Sequence, residues 1–409
     1  MMNSFEKLSL IFFFESFFCF SQPIITNYST DNSGLTFNTV RCIVIQNNNK
    51  WFGTDNGLCS FDGQNWQTFT TENSPLLDDD IRSLKVENDS TLWIGTIQGG
   101  LYKKTNNTWI NYNESNSGLH DNLVRGIEID SSGSIWLATS EGVSRFDGEN
   151  WQLWNIANNG LLTNNITSIR TGFLNEKYVG TINGGLLYFD ELDNLSMHSI
   201  VESGLPDNSS LAIDIDSTGQ PWFATPAAGL VTDWGNGGPW ERWNMSNSPI
   251  PTNGLTCIAI NQEDQRIFMG TELFGIIIKK GDVWFNYTQE NIGLPEDYIT
   301  SIAHESPTVK WIGTFNSGVV RIEEPNANLF DFEIQTLILY PTVIENDDNL
   351  HLSELVNGSV TIFNCSGQIV QEQSLQETSE FRFSVANSGF YYVKLSTNLQ
   401  TYIFKIVVK

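Results

Sequence analysis

Positive charge and long apolar stretches are both scarce in this chain of 409 residues. It carries 21 Lys and Arg against 47 Asp and Glu, which gives a formal net charge of −26. Nucleic acid and anionic membrane surfaces are disfavoured as partners, because both would repel such a protein. No apolar stretch reaches the length of a membrane-spanning helix. Residues 1–21, with Lys7 before a mostly apolar stretch, predict a signal peptide that is removed on export.

Residues for known catalytic chemistry are also few. The only histidines are His120, His198, His304 and His351, and no two have the spacing of metal ligands. No nucleophile or phosphate-binding motif stands in a strand–turn–helix setting. The sequence therefore predicts a non-catalytic protein without a cofactor or a metal. An enzyme is the alternative, because 47 carboxylates could supply an acid and a base on one face.

A short phrase recurs seven times along the chain. An aromatic residue is followed by an apolar residue, then Gly or Ala, then Thr. The phrases begin at Trp51, Trp93, Trp136, Tyr178, Trp222, Phe268 and Trp311, at spacings of 42, 43, 42, 44, 46 and 43 residues. A period of this length with several short strands in each repeat indicates a β-propeller.

One repeat contains four short strands. In the third repeat, turn residues separate apolar segments at 122–130, 135–139, 143–146 and 151–154. Each repeat is therefore one blade, and seven repeats predict an all-β, seven-bladed propeller. We call the four strands of a blade its first to fourth strands.

Three positions recur in every blade, and each has a mechanical reason. The first strand carries a small residue where the sheets converge: Cys42, Ser83, Gly126, Ser168, Ala212, Cys257 and Ser301. An Asn or Asp precedes it as a turn cap: Asn38, Asp79, Asn122, Asn164, Asn208, Asn253 and Asp297. The Thr that ends each phrase bonds local backbone, and the aromatic residues fill the space between sheets. Features repeated seven times are structural, since one ring does not need seven active sites.

The two ends of the repeat array predict how the ring closes. The first complete first strand is 40–45, whereas the last repeat stops after its third strand at 319–322. Residues 24–29 match a fourth strand. The N-terminal strand is therefore predicted to complete blade seven.

The cysteines predict no intrachain disulfide. Cys42 lies on the first strand and Cys59 on the third strand of one blade, about 9–10 Å apart, which exceeds the roughly 7 Å limit for a bridge. Cys257 holds the position of Cys42 in another blade, blade six, and Cys365 lies beyond the repeats.

The repeated phrases resemble the two-component regulator propeller family over residues 22–325. In that family the propellers form periplasmic sensor domains that are thought to recognise oligosaccharides. The kinase and DNA-binding segments of such regulators have no counterpart here, so the resemblance implies the propeller and not the signalling.

Residues 337–409, after a linker at 326–336, follow a different pattern. Alternating strands with Gly and Asn turns predict a small Ig-like β-sandwich. The segment Ser388–Lys394 and the basic C-terminal end resemble the sorting domain of type IX secretion substrates in Bacteroidetes. The resemblance implies delivery across both membranes by the type IX secretion machinery. An ordinary adhesive Ig-like module is the alternative.

Departures from the repeat indicate the binding face. Just before its small residue, the first strand carries Arg41, Arg82 and Arg125 in three adjacent blades. In blades six, seven and one, the loops of the same face carry the aromatic residues Phe274, Tyr298, Phe315 and Phe37. We predict these seven as ligand-binding residues. In the alternative, the arginines pair with Asp79, Asp80 or Asp121, and the aromatic residues cap the core.

The sequence thus predicts a secreted or surface-exposed propeller that binds a glycan or a peptide, with an acidic glycan suited to the arginines. The alternatives are a polysaccharide lyase and a structural partner in a surface complex.

Overall fold

The computed structural model describes residues 23–233, 239–324, 339–340, 343–344, 349–364, 369–385, 389–397 and 401–408. The predicted signal peptide, the linker 326–336 and Cys365 lie outside these residues. The chain divides into two compact units, Met1–Ala327 and Asn328–Lys409.

The first unit contains seven four-stranded antiparallel sheets. The strands up to the end of blade three are β1 (Ile24–Tyr28), β2 (Val40–Gln46), β3 (Asn49–Thr54), β4 (Gly57–Phe61), β5 (Trp66–Phe69), β6 (Ile81–Asn88), β7 (Thr91–Thr96), β8 (Leu101–Thr105), β9 (Thr108–Tyr112), β10 (Val124–Ile129), β11 (Ile135–Thr139), β12 (Val143–Phe146) and β13 (Trp151–Trp154). Those of blades four to seven are β14 (Ile166–Thr171), β15 (Lys177–Thr181), β16 (Leu186–Phe189), β17 (Leu195–His198), β18 (Ala212–Ile215), β19 (Pro221–Ala224), β20 (Leu230–Asp233), β21 (Trp240–Trp243), β22 (Cys257–Ile260), β23 (Ile267–Gly270), β24 (Ile276–Lys280), β25 (Val283–Tyr287), β26 (Ile299–His304), β27 (Val309–Thr314) and β28 (Val319–Glu323).

The first strands of the seven sheets contact one another in the order of the blades and return from β26 to β2. The sheets therefore form a closed ring with their first strands innermost. As predicted, β1 completes blade seven, because Ile24–Tyr28 pairs antiparallel with β28. The side chain of Tyr28 also stacks on Trp311, with ring centroids 5.6 Å apart.

The core lies between neighbouring sheets. Trp136 is fully buried and stacks on Trp154 of its own blade, while Phe189 of blade four packs edge-on against both. The indole N–H of Trp136 donates to Asp130 at 2.9 Å, which satisfies its one polar atom. These contacts confirm that the repeated tryptophans belong to the core.

The small residues of the first and second strands face each other in every blade. Cys42 pairs in register with Gly53, and Ser83 with Gly95. A Cβ atom on Gly95 would lie 2.6 Å from the carbonyl oxygen of Val124 in the next blade. The predicted close approach of the next sheet is therefore confirmed, and it requires a small residue on both strands.

Three single-turn helices lie in loops between blades: α1 (Ile156–Asn159), α2 (Ile200–Ser203) and α3 (Gln289–Ile292). Each has a polar N-cap side chain and ends at a glycine with positive φ. No helix in the described ranges is long and apolar enough to cross a bilayer.

The second unit is also built of strands: β29 (Leu339–Tyr340), β30 (Val343–Ile344), β31 (Asn349–Asn364), β32 (Ile369–Arg382), β33 (Gly389–Thr397) and β34 (Thr401–Val408). Five of them follow the order β29-β31-β33-β34-β30, and β32 pairs with β31. The pairs are antiparallel except β30 with β34, which is parallel. Side chains from β31, β32 and β33 form an apolar core of their own.

Candidate functional site

The candidate site is the upper face of the propeller. We define this face by the loops that join the fourth strand of one blade to the first strand of the next, and the second strand to the third strand within a blade. All seven predicted site residues lie in these loops or at the starts of the first strands that follow them.

Most repeated polar residues of this face are used for structure. The Thr at the end of each second strand donates its hydroxyl hydrogen to a glycine carbonyl in the following turn, as Thr54 does to Gly57 at 2.8 Å. The Asn or Asp before each first strand accepts a backbone N–H from eight residues earlier, as Asn122 does from Glu114 at 3.0 Å. Both bonds occur in all seven blades. The structural roles predicted for these residues are confirmed.

At the repeat position of the three arginines, several side chains bond to the next blade. Where it holds threonine, as in Thr167, the hydroxyl donates to a backbone carbonyl at the start of the next first strand, here Ser210 at 2.5 Å. Arg125 does the same, since it donates to the carbonyl of Ile166 at 3.2 Å and to the Asn165 side chain at 2.6 Å. No carboxylate of the described residues lies within ion-pair distance of Arg125. This arginine therefore holds blade three against blade four.

Arg41 and Arg82 are both paired with carboxylates. Arg41 donates two hydrogen bonds to Asp55, at 2.6 and 2.8 Å, which raise the pKa of its guanidinium. Arg82 donates to Asp80 at 2.8 Å and also lies 3.8 Å from Asp55. The three arginines therefore do not present an uncompensated basic arc. Pairing of Arg82 with Asp80 agrees with the alternative expectation, whereas the partner of Arg41 was missed.

Asp79 and Asp121, the other two expected acidic partners, bind backbone instead. Asp79 accepts the N–H of Thr71 at 2.7 Å, and Asp121 accepts that of Ser140 at 2.7 Å. Each carboxylate closes a loop of its own blade. Residue type alone could not distinguish these carboxylates from Asp55, which follows the repeated Thr directly.

Tyr298 and Phe315 form an aromatic pair beside Arg41. Their rings stack with centroids 4.7 Å apart, and the Arg41 guanidinium carbon lies 5.4 Å from the centroid of Phe315. Burial, and then the nearby Glu272, raise the pKa of the Tyr298 hydroxyl. The structure thus brings three of the predicted residues into one half-buried group.

Phe37 and Phe274 are more open. Their exposed fractions are 44% and 39%, and the neighbouring Leu273 is 74% exposed. The alternative in which aromatic residues cap the core therefore does not describe these two side chains.

Both phenylalanines replace residues that have a structural role in other blades. Phe37 takes the place of carboxylates such as Asp207, which accepts the N–H of Ala227 at 3.0 Å. Phe274 takes the place of Gly99 and Gly184 in the second-to-third loop. Comparing loop positions between blades would also have identified Leu273, which the sequence analysis missed.

A cavity of about 170 Å³ opens on this face between blades five and six. Its lining is mainly apolar: Leu211, Pro226, Thr252, Gly254, Leu255, Thr256, Glu272, Leu273 and Phe274. Leu211 occupies the position that holds Arg41, Arg82 and Arg125 in blades one to three. Of the seven predicted site residues, Phe274 is part of this lining.

The upper face is strongly acidic. Its loops carry fifteen carboxylates and no Lys or Arg: Asp31, Asp55, Glu72, Asp78, Asp79, Asp80, Glu114, Asp121, Glu141, Glu202, Asp207, Glu272, Glu290, Glu296 and Asp297. Only the three arginines at the starts of first strands oppose them. The electrostatic potential at this face therefore favours a cation or a neutral molecule.

A second charged group links the first strands at the position three residues after that of the arginines. Glu128 pairs with Lys85 of blade two and lies 3.5 Å from Arg170 of blade four. Arg170 in turn lies 3.6 Å from Asp214 of blade five. The same position holds only short apolar side chains in the remaining blades: Val44, Ala259 and Ala303. Two cations balance two anions here, so the group joins four blades without leaving free charge.

The histidines do not assemble into a site. His120 is the only one in the upper-face loops, and burial lowers the pKa of His304, in β26, to about 4. No group of three or more His, Cys, Asp or Glu in the described residues is arranged to hold a metal ion. Cys42, Cys59 and Cys257 are free thiols.

Comparison with solved structures relates the fold to extracellular propellers. The extracellular domain of the hybrid two-component system BT3049 from B. thetaiotaomicron is 18% identical with a TM-score of 0.67, and the match covers 94% of this chain and 57% of that one. PorZ, a bacterial surface component of the type IX secretion system of Porphyromonas gingivalis, is 15% identical with a TM-score of 0.56, covering 95% and 61%. This chain thus spans little more than half of either protein.

An enzyme is also among the similar structures. Virginiamycin B lyase from Staphylococcus aureus is 13% identical with a TM-score of 0.60, and the match covers 74% of this chain and 99% of the lyase. At such identities the likeness establishes the propeller fold alone. No curated protein sequence is significantly similar to this chain.

The C-terminal residues match a known family of domains. Residues 339–409 match the secretion system C-terminal sorting domain family. Such a domain engages secretion machinery and directs the protein to the cell surface or the medium. This chain is therefore an exported protein with a β-propeller fold, and its residues 339–409 match the secretion system C-terminal sorting domain.

Proposed function

We propose that this protein is a non-catalytic binding propeller that holds a glycan or a peptide on its upper face outside the cell. One observation carries the proposal. Phe37, Leu273 and Phe274 are exposed on this face, at positions where other blades place polar or small residues with structural roles.

Apolar side chains that are exposed to water on an acidic face have an unfavourable hydration free energy, which a ligand that covers them can offset. Burying a Phe or Leu side chain fully is worth about 1.5–3 kcal/mol. Such residues in an interaction site are therefore expected to contribute much of the binding free energy. The stacked, half-buried pair Tyr298 and Phe315 belongs to blade seven, which lies between blade six with Phe274 and blade one with Phe37.

The three arginines have a smaller role in this proposal than the sequence indicated. Arg41 and Arg82 are already paired with Asp55 and Asp80, so a ligand carboxylate would have to displace an internal partner. We expect Arg41 and Arg82 to stabilise the site indirectly. Arg41 contacts Phe315, and both arginines lie near Asp55.

A lyase is the competing function, because virginiamycin B lyase shares the fold. Acid–base catalysis needs a proton donor and acceptor within reach of one substrate atom. His120 is the only histidine in the upper-face loops. Asp121 and Asp207 there bind loop backbone, and Asp55 and Asp80 pair with arginines. These observations favour binding without turnover.

The test measures binding and turnover on the same panels. The full chain is incubated with immobilised glycans and with a peptide library, and soluble products are measured in parallel. The double variant Phe37→Ala, Phe274→Ala is expected to lose at least tenfold in affinity for any ligand retained.

The matched control is Leu174→Ala, Leu192→Ala, which removes two apolar side chains of 72% and 77% exposure from the opposite face. It is expected to bind like the parent. Equal binding by both double variants would place the site elsewhere. Release of product from any glycan or peptide would overturn the non-catalytic assignment.

A further inference from the structure

We infer that the cavity between blades five and six is a pocket for one bulky apolar side chain of a basic peptide segment. The inference rests on the proposed function, since it names the ligand class that the upper face binds.

The cavity arises where a contact between blades is missing. In blades four, six and seven a threonine hydroxyl bonds the carbonyl at the start of the next first strand, as Thr256 does to Ile299 at 2.6 Å. Blade five has Leu211 at this position, which has no hydroxyl to donate to Leu255. The space that a polar contact closes elsewhere is therefore open and lined by an apolar side chain.

The two adjoining loops make the opening apolar as well. Blade five contributes Pro226, and its loop continues with two alanines. Blade six contributes Leu273 and Phe274, where blades two and four have polar residues followed by glycine. Leu255, which is 1% exposed, contributes a buried wall.

The volume suits a single side chain. An apolar cavity of about 150 Å³ is large enough to bind benzene, and this one measures about 170 Å³. A leucine or phenylalanine side chain therefore fits, whereas a sugar ring would place its hydroxyl groups against Leu211, Leu255 and Pro226 with few polar partners.

The surrounding charge selects what flanks that side chain. Glu272 lies in the lining, and the loops of the upper face carry fifteen carboxylates without a single Lys or Arg. Arg41 and Arg82 are paired with carboxylates and Arg125 binds the next blade. Flanking Lys or Arg residues therefore gain attraction at this face, and acidic residues or an acidic glycan are repelled.

The experiment uses three labelled pentapeptides, acetylated and amidated at their ends, with the full chain. Their sequences are Gly-Lys-Phe-Lys-Gly, Gly-Glu-Phe-Glu-Gly and Gly-Lys-Ser-Lys-Gly, and binding is measured by fluorescence anisotropy at low and physiological salt. The first peptide is expected to bind at least tenfold more tightly than the other two, with an affinity that falls as salt rises.

Two single variants test the apolar wall and the charge of the cavity separately. Leu211→Thr introduces the residue that blade four has at this position, and Glu272→Gln removes the charge from the lining. Leu211→Thr is expected to lower the affinity for the first peptide at least fivefold at all salt concentrations. Glu272→Gln is expected to lower this affinity mainly at low salt. The control Gln98→Asn exchanges the equivalent loop residue of blade two for that of blade four and is expected to change nothing.

The outcomes separate the two proposals. No preference for the first peptide, or equal binding by the parent and Leu211→Thr, overturns the pocket assignment. If the parent protein nevertheless binds immobilised glycans and the Phe37→Ala, Phe274→Ala variant does not, the proposed binding function stands with a glycan as the ligand. If the Phe37→Ala, Phe274→Ala variant binds every ligand like the parent, the upper face itself is excluded.

Discussion

Glu324 directly follows β28, the third strand of blade seven, and is 3% exposed. Its carboxylate accepts hydrogen bonds from Arg266 at 3.1 Å and from the Tyr287 hydroxyl at 3.0 Å, and Lys310 lies 2.5 Å away. The side chains of Arg266 and Lys310 are each 1% exposed. This carboxylate therefore neutralises two buried cations that belong to blades six and seven.

Replacing Glu324 by glutamine keeps the shape of the side chain and removes its charge. Lys310 and Arg266 then lose the charge of this carboxylate, while Asp264 still pairs with Arg266 at 2.7 Å. Breaking a buried ion pair costs about 3–5 kcal/mol. At an unfolding entropy of roughly 2.1 cal/mol/K per residue, that cost corresponds for this unit to a melting temperature lower by about 5–8 °C.

The effect has a defined pH dependence. Burial acts to raise the pKa of Glu324, but the hydrogen bonds and charges of Arg266 and Lys310 outweigh it, so the folded-state pKa lies below the ordinary 4.5. A lowered carboxyl pKa stabilises the fold above the unfolded-state value and stops doing so as pH falls through the folded-state value. The difference in the free energy of unfolding between the parent and Glu324→Gln is therefore largest at neutral pH, and it declines as the pH falls below about 4.5.

Urea unfolding of the full chain, followed by tryptophan fluorescence across this pH range, measures that difference. The control is Glu323→Gln at the adjacent residue, whose side chain is 41% exposed and pairs with Arg321 at 2.7 Å. An exposed pair contributes less than about 1 kcal/mol. Equal losses in the two variants, or a loss for Glu324→Gln that is independent of pH, would refute the reasoning.

Two further predictions concern the ends of the chain. Deleting residues 22–35 removes β1 and leaves β28 with an unpaired edge, so we expect a lower melting temperature and concentration-dependent aggregation by light scattering; an unchanged melting temperature and a monomeric product would contradict closure through β1. Deleting residues 337–409 removes the sorting domain, so we expect the protein to stay in the cells when fractions of a type IX-competent host are immunoblotted. Normal amounts at the surface or in the medium would contradict delivery through this domain.

Much of the fold could be predicted because each blade is a local unit. Its turn caps bind backbone eight residues away, and its Thr binds a glycine three or four residues on. Residue type and short spacing are sufficient to specify such contacts. The missing fourth strand of the last repeat likewise identified β1 as its replacement, because strand count is visible in the sequence.

The candidate site was less predictable, because its contacts cross between blades. Asp55 lies fourteen residues from Arg41 and also approaches Arg82 of the next blade. Arg125 resembles the other two arginines by position, yet its partners belong to blade four. The position of a residue in the repeat predicts where its backbone lies in the blade. It does not predict which blade supplies the hydrogen-bond partner of its side chain.

The sequence by itself determined the number of blades, the phase of the ring and the sorting tail, since all three depend on repeated or contiguous residues. The tertiary structure decided that Arg41 and Arg82 are neutralised, that Phe37 and Phe274 stay exposed, and that Leu211 leaves a cavity. The physical reason is that these outcomes depend on how loops pack in three dimensions. Asp55 reaches both Arg41 of its own blade and Arg82 of the next, and the cavity forms between loops of blades five and six.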